Sequence, residues 1–211
     1  MSPPIKARIY LASQSPRRRE LLTQIGVRFD PLPFRGGARQ DPEICEDMRS
    51  GETPEDYVLR VAAAKARHGM RLVNSRHLLP HPVLAADTTL DVDGDVVGKP
   101  GHDSESVAIL KRLSGRTHRV LTAIALGAGS SGSEERFVTR LSISEVRFRS
   151  LDEEEVRRYV ATGEPRDKAG AYGIQGAAAI FVEEIRGSHS GIVGLPLCET
   201  ALLLREFGYP I

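Results

Sequence analysis

The chain has 211 residues, 40% of them hydrophobic and 27% charged, with a formal net charge of +1. That length allows one large domain or two small lobes with a real core, and the near-zero charge excludes a global basic field for nucleic acid, so any anion site is local. No apolar run is long enough to span a bilayer, the opening MSPPIKARIY lacks an apolar signal region, and Cys45 and Cys198 lie far apart in no metal or redox spacing, which fits a reducing cytoplasm.

The predicted elements begin with a strand over 7–12. LASQSPRRRELL then reads as a strand that stops at a polar turn and opens a helix over 17–25, with Ser15 as N-cap, Pro16 as first helical residue and Gly26 past its end. Leu21, Leu22 and Ile25 form its apolar stripe. Arg17, Arg18 and Arg19 fill the first turn, where the helix end already favours anions. They are either a solvated basic face or one side of a polyanion site. A short strand over 27–32 is broken by Pro31 and Pro33, and 35–51 reads as a polar surface loop.

Thr53-Pro54-Glu55-Asp56 starts a helix that runs to about His68, with Tyr57, Val58, Val61, Ala62 and Ala64 inward. Lys65 on it either snorkels at a helix edge or serves as a phosphate-binding ammonium. The strand over 82–92 begins as a continuous apolar run, as for burial on both faces. Asp87 interrupts it, and a carboxylate at the end of a buried strand is paired, hydrated, metal-bound or a turn cap. Asp93-Gly94 signals a hairpin to Val96-Val97, followed by Gly98-Lys99-Pro100, which lacks the Walker spacing but offers a lysine to a phosphate.

A helix over 104–113 sets Val107, Ala108, Leu110 and Leu113 on one side. Strands over 117–126 and 137–148 follow, the second alternating through Phe137, Leu141, Ile143, Val146 and Phe148; the Gly/Ser-rich 127–135 joins them. His118, at the edge of the first, is a structural hydrogen-bonder or a catalytic base. The helix over 152–161 has an acid-rich start that suits its dipole. GEPRDKAGAYGIQG, 163–176, fits no helix or strand period, and its glycines let backbone approach a ligand closely. A strand over 177–185, a loop over 188–194 and a helix over 197–207 close the chain, with Leu202, Leu203, Leu204 and Phe207 on the core and Gly208 as terminator.

This order predicts an α/β fold with a mixed central sheet flanked by helices, as one domain over 1–211 or two lobes around a cleft. Arg17, Arg18, Lys65, Asp87, Lys99 and the 163–176 loop all fall at element ends or breaks, and four cations around one carboxylate suit a phosphorylated small molecule. The low aromatic content and absence of Trp argue against nucleic-acid stacking.

SQSPRRRELL, AADTT, GKP, LSGRTHRVLT, GEPRDKAGAYGIQG and VGLPL together resemble the Maf family of nucleoside triphosphate pyrophosphatases, in order from Ile9 to Gly208. DKAGAYGIQG is similar to the branch acting on dTTP and UTP. The resemblance implies an elongated fold with a deep cleft, similar to inosine triphosphate pyrophosphatase, and hydrolysis of the triphosphate to monophosphate and pyrophosphate with Mg²⁺ or Mn²⁺. It implies a homodimer, while composition and cysteine usage give a cytoplasmic protein without nucleic-acid or membrane partners. Asp87 matches the proton acceptor; Ser13, Arg17, Arg18, Lys65 and Lys99 match triphosphate-binding positions; Arg17, Thr88 and Gln175 match positions tied to nucleotide choice. The acidic motif usual after the second strand is replaced by FRGGARQDPEICEDMRSG, in which Asp41 and Glu43 are the candidate substitutes; Asp87 and Glu43 are thus the candidate metal ligands. The alternatives are the same reaction on another or modified nucleotide, and a septum-inhibition regulator with little turnover.

Overall fold

In the computed structural model, residues 8–33, 44–129 and 135–211 are described. Asp41 and Glu43 lie outside them.

The sheet is mixed. Strand β1 (Arg8–Leu11) pairs in parallel with β2 (Arg28–Pro31) on one side and β3 (Val83–Val92) on the other. Beyond β3 the neighbours are antiparallel: β5 (Thr117–Ala128), β6 (Arg136–Phe148) and β7 (Val182–Arg186), with the short β4 (Asp95–Val97) folded back on β3. Pro31 fits because β2 is an edge strand, where a missing N–H costs nothing to the ladder. The β3–β4 turn places Asp93 and Gly94 both at positive φ, 57° and 89°, as the tight hairpin turn requires.

Helices cover both faces: α1 (Pro16–Gln24), α2 (Pro54–Ser75), α3 (Asp103–Leu113), α4 (Glu153–Ala161), the one-turn α5 (His189–Val193) and α6 (Leu197–Glu206). Helix α2 runs two turns beyond the predicted stop at His68, because its apolar stripe continues through Met70 and Val73. Gly69 lets it lie close to the sheet, where a Cβ would sit 2.7 Å from Val83 Cγ1. Alternation along β3 sorts the core: Val83 and Ala85 face α2, with Val58, Ala62 and Ala66, while Leu84 and Ala86 pack with Leu22, Leu203 and Leu204 on the other face.

Several predicted details change. Ser15 stands at the N-cap of α1 but makes no side-chain cap bond. Ala64 is half-buried and Ala66 takes its inward place. Ala108 and Leu202 are exposed, since α3 and α6 each bury a narrower stripe than predicted. The predicted strand over 177–185 splits into a 3-10 turn, Ala177–Phe181, and β7, and the loop over 188–194 winds into α5. In β6 the predicted alternation mixes two phases. Phe137 and Leu141 pack under α2, but past that cover Ile143 is exposed and Ser142, Ser144, Val146 and Phe148 are the buried set.

His118 is structural. Its Nε2 lies 2.8 Å from the Tyr172 hydroxyl, and its ring meets Phe148 edge-on at 5.1 Å. Burial pushes its pKa from the ordinary 6.5 down to about 4. The folded state thus holds this imidazole neutral while the unfolded chain protonates it near pH 6.5. Its contribution is complete above pH 6.5 and is lost as pH falls toward 4, on the order of 3 kcal/mol. We expect denaturant midpoints of wild type minus those of His118→Gln to drop across that window; a flat difference would refute a buried neutral His118.

Candidate active site

The sheet leaves a gap. Strand β1 ends opposite Leu84, and β4 begins pairing only at Leu90, so residues 85–89 have no strand neighbour along that edge of β3 among the described residues. Asp87 stands in the middle of the gap, not at a strand end as predicted, since β3 continues to Val92. The N-terminus of α1 opens at the same place, the kind of crevice beside a parallel strand end where ligands settle. The result is an open cleft of about 1050 Å³, lined by Ser13, Arg17, Arg18, Lys65, Asp87, Thr88, Lys99 and Gln175, every one of the candidate residues that is described.

Neighbouring residues of β3 serve opposite walls. Asp87 shares the α2 face, and its Oδ1 accepts from Lys65 Nζ at 2.7 Å. The same ammonium lies 2.7 Å from Glu46 Oε1. Burial by itself would raise Glu46, but Lys65, and more weakly Lys99 and Arg18, hold its carboxyl below the ordinary range. Helix α2 also fixes the segment that carries Glu46: Tyr57 OH donates to Glu46 O at 3.0 Å, and Arg60 donates to the carbonyls of Cys45 and Asp47 at 2.8 and 2.9 Å. One helix therefore supplies the cation and aims a carboxylate at it.

Thr88 faces the other wall and meets Arg18. The Arg18 guanidinium donates to Gly194 O at 2.8 Å, Ser13 Oγ at 3.2 Å and Thr88 Oγ1 at 3.2 Å. Burial works against its charge, and Asp87 works to keep it. Ser13 Oγ also accepts from Ser15 N at 3.2 Å, which leaves the serine proton available to a ligand acceptor. Arg17 sits at the rim, 3.4 Å from Asp167 across the cleft mouth. Arg19 is exposed and donates to Gln14 O, so it keeps to the solvated reading.

A family model described as Maf-like protein matches residues 8–207. The chain belongs to the Maf family. A dTTP/UTP pyrophosphatase of Aromatoleum aromaticum (strain DSM 19018 / LMG 30748 / EbN1) is 62% identical over 209 residues, covering 99% of each chain. One from Dechloromonas aromatica (strain RCB) is 54% identical over 96% of this chain and 98% of its own. Among solved structures, a HAM1 protein from Coxiella burnetii aligns at a TM-score of 0.43 with 18% identity, over 95% of this chain and 99% of that one.

In this Maf protein the 163–176 segment forms the wall opposite α1, as two 3-10 turns, Glu164–Asp167 and Ala169–Ala171. It is pinned rather than loose. Tyr159 OH donates to Glu164 Oε1 at 3.0 Å and accepts from Gly173 N at 3.2 Å, while Glu164 Oε2 accepts from Ala177 N at 3.0 Å. A side chain on Gly176 would strike the Glu164 carboxylate that pins the segment, and one on Gly173 would displace the Lys168 side chain. Gln175 lies between the two glycines. Gly170 N donates to Gly98 O at 3.0 Å and ties the segment to the strand end that carries Lys99.

Among the described residues no cluster of three or more His, Cys, Asp or Glu is placed to hold a metal ion. Asp87 and Glu46 nevertheless converge on one point, held by Lys65. Mg²⁺ is commonly bound by one or two carboxylates, with water and substrate phosphates completing its shell. The donor set fits that mode and not an all-protein cage. Glu46 is the functional candidate that the sequence reading missed. It lies three residues beyond Glu43 in the same acidic stretch, and only the pins from Tyr57 and Arg60 single it out.

Proposed function

We propose that this chain is a nucleoside triphosphate pyrophosphatase that hydrolyses dTTP and UTP to the monophosphate and pyrophosphate, with Asp87 as the proton acceptor. The observation that carries this reading is one buried carboxylate set in a cleft with Lys65, Arg17, Arg18 and Lys99. The printed activity of the relatives supports it.

In the reaction, water attacks the α-phosphorus in line. The bond from the water oxygen to phosphorus forms, the bridging bond to the β-phosphate breaks, and the water proton passes to Asp87. Lys99, Arg17 and the remaining donors of Arg18 hold the charge that grows on the leaving pyrophosphate, and the Ser13 hydroxyl donates to a phosphate oxygen. Asp87 and Glu46 would hold Mg²⁺ or Mn²⁺, which supplies Lewis-acid neutralisation of phosphate charge when bound. The family resemblance carries a homodimer with this reading, and the cysteine usage a reducing cytoplasm.

Base choice is assigned to the pinned 163–176 wall. The Gln175 amide offers a donor and an acceptor to the alternating imide edge of uracil and thymine, and cytosine breaks that match. Pyrophosphate release is expected from dTTP and UTP well above dCTP and purine triphosphates. Gln175→Ala should lower the dTTP:dCTP ratio of kcat/KM about tenfold. Absence of turnover on both dTTP and UTP, with either metal, would sink the assignment; an unchanged ratio in the variant would remove Gln175 from base choice.

A further inference from the structure

Thr88 of β3 stands directly opposite Thr122 of β5, and their hydroxyls lie 3.0 Å apart. Behind them Thr122 Oγ1 donates to Gly191 O on α5 at 2.8 Å. Thr122 is 1% exposed, so water does not compete for that proton. In front, Arg18 Nη2 donates to Thr88 Oγ1. A guanidinium only donates, a carbonyl only accepts, and each hydroxyl has a single proton. With the Thr122 proton spent on Gly191 O, Thr122 is the acceptor for Thr88, and the Thr88 proton points away from the cleft. The chain runs one way, from Arg18 through Thr88 and Thr122 to Gly191. Thr88 turns a lone pair and no proton toward the cleft.

We propose that Thr122, buried behind the cleft, is a positioning residue for base choice: by holding the Thr88 proton inward it makes Thr88 an acceptor for the N3–H of uracil or thymine. This rests on the cleft being a nucleotide site. Phosphate oxygens and the unprotonated N3 of cytosine are acceptors themselves and find no donor at Thr88. Turning the Thr88 proton outward costs the Thr88–Thr122 bond, or the Thr122–Gly191 bond if the Thr122 proton turns to replace it, so the arrangement disfavours cytosine by up to about tenfold, the worth of one hydrogen bond. Gln175 is then left with the O4 carbonyl beside N3, to which its amide N–H donates and which cytosine replaces by an amino group.

The test measures kcat and KM for dTTP, dCTP and the 3′-deoxy analogue ddTTP in wild type, Thr122→Val, Thr122→Ala and Thr122→Ser. Removing the hydroxyl frees the Thr88 proton to turn to the cleft. Val and Ala should therefore raise kcat/KM for dCTP, chiefly through KM, and lower the dTTP:dCTP ratio about three- to tenfold. A merely structural loss raises nothing. Ser keeps the proton and should restore the wild-type ratio. An unchanged ratio in Val and Ala, an equal shift in Ser, or a change confined to dTTP against ddTTP, which would put Thr88 on the ribose, overturns the proposal. If neither Val nor Ala folds, wild type is given N3-methyl-dTTP, and hydrolysis as fast as that of dTTP overturns it. Wild type inactive on dTTP and UTP fails the nucleotide reading first and the proposal with it, an outcome visible before any variant is made.

Discussion

Asp87→Asn is expected to lower kcat for dTTP by about 10²–10⁴, with KM little changed. Asn keeps the shape and still accepts from Lys65, but it cannot take a proton from water, and general-base catalysis is worth that factor. The cations proposed to bind the triphosphate stay in place, because Lys65 retains Glu46 at 2.7 Å and Arg18 retains its three protein acceptors. The fold should tolerate the change, since the amide replaces a carboxylate that is 9% exposed and hydrogen-bonded. Steady-state pyrophosphate release decides it. Undiminished kcat would take both the proton transfer and the metal away from Asp87 and leave it as a partner for Lys65 alone.

Gly170→Ala should cost about 2–5 kcal/mol of stability. Gly170 sits at φ +71°, and its missing Cβ would overlap Leu90 Cδ2, in the core at 2% exposed. Left-handed backbone costs an alanine about 1–2 kcal/mol, and overpacking a closed core adds about 1–3 kcal/mol. Gly163 separates the two terms: its φ is +74° with nothing near its missing Cβ, so Gly163→Ala pays the backbone cost alone. Chemical denaturation of both variants compares them. Equal losses would show that the Leu90 contact carries nothing.

Much of the fold was legible because its signals are local. Thr53 with Pro54 and two acids does cap α2, through Thr53 Oγ1 and Asp56 N at 3.1 Å, and Asp93-Gly94 does make the hairpin. Ile143 was misplaced because burial there depends on how far α2 reaches, a distance no alternation encodes. The candidate residues were legible through family motifs, and the structure brings the described ones to one cleft. The gap that creates the cleft was not legible: it comes from β1 stopping at Leu11 and β4 starting late, a matter of register between strands. Thr122 gave no sign either. It is one polar residue in the apolar run over 120–126, and its meaning depends on Gly191, which is 69 residues away.

The Arg18–Gly194 hydrogen bond joins residues 176 positions apart. During synthesis the arginine leaves the ribosome long before its acceptor exists, roughly 9–35 s at ordinary elongation rates. For most of that interval the β1–α1 segment is present with its cations unpositioned, and neither Gly194 nor the 163–176 wall has been made. The nascent chain is therefore expected to be silent until Gly194 is made, and a product cut short before Gly194 should leave triphosphates untouched.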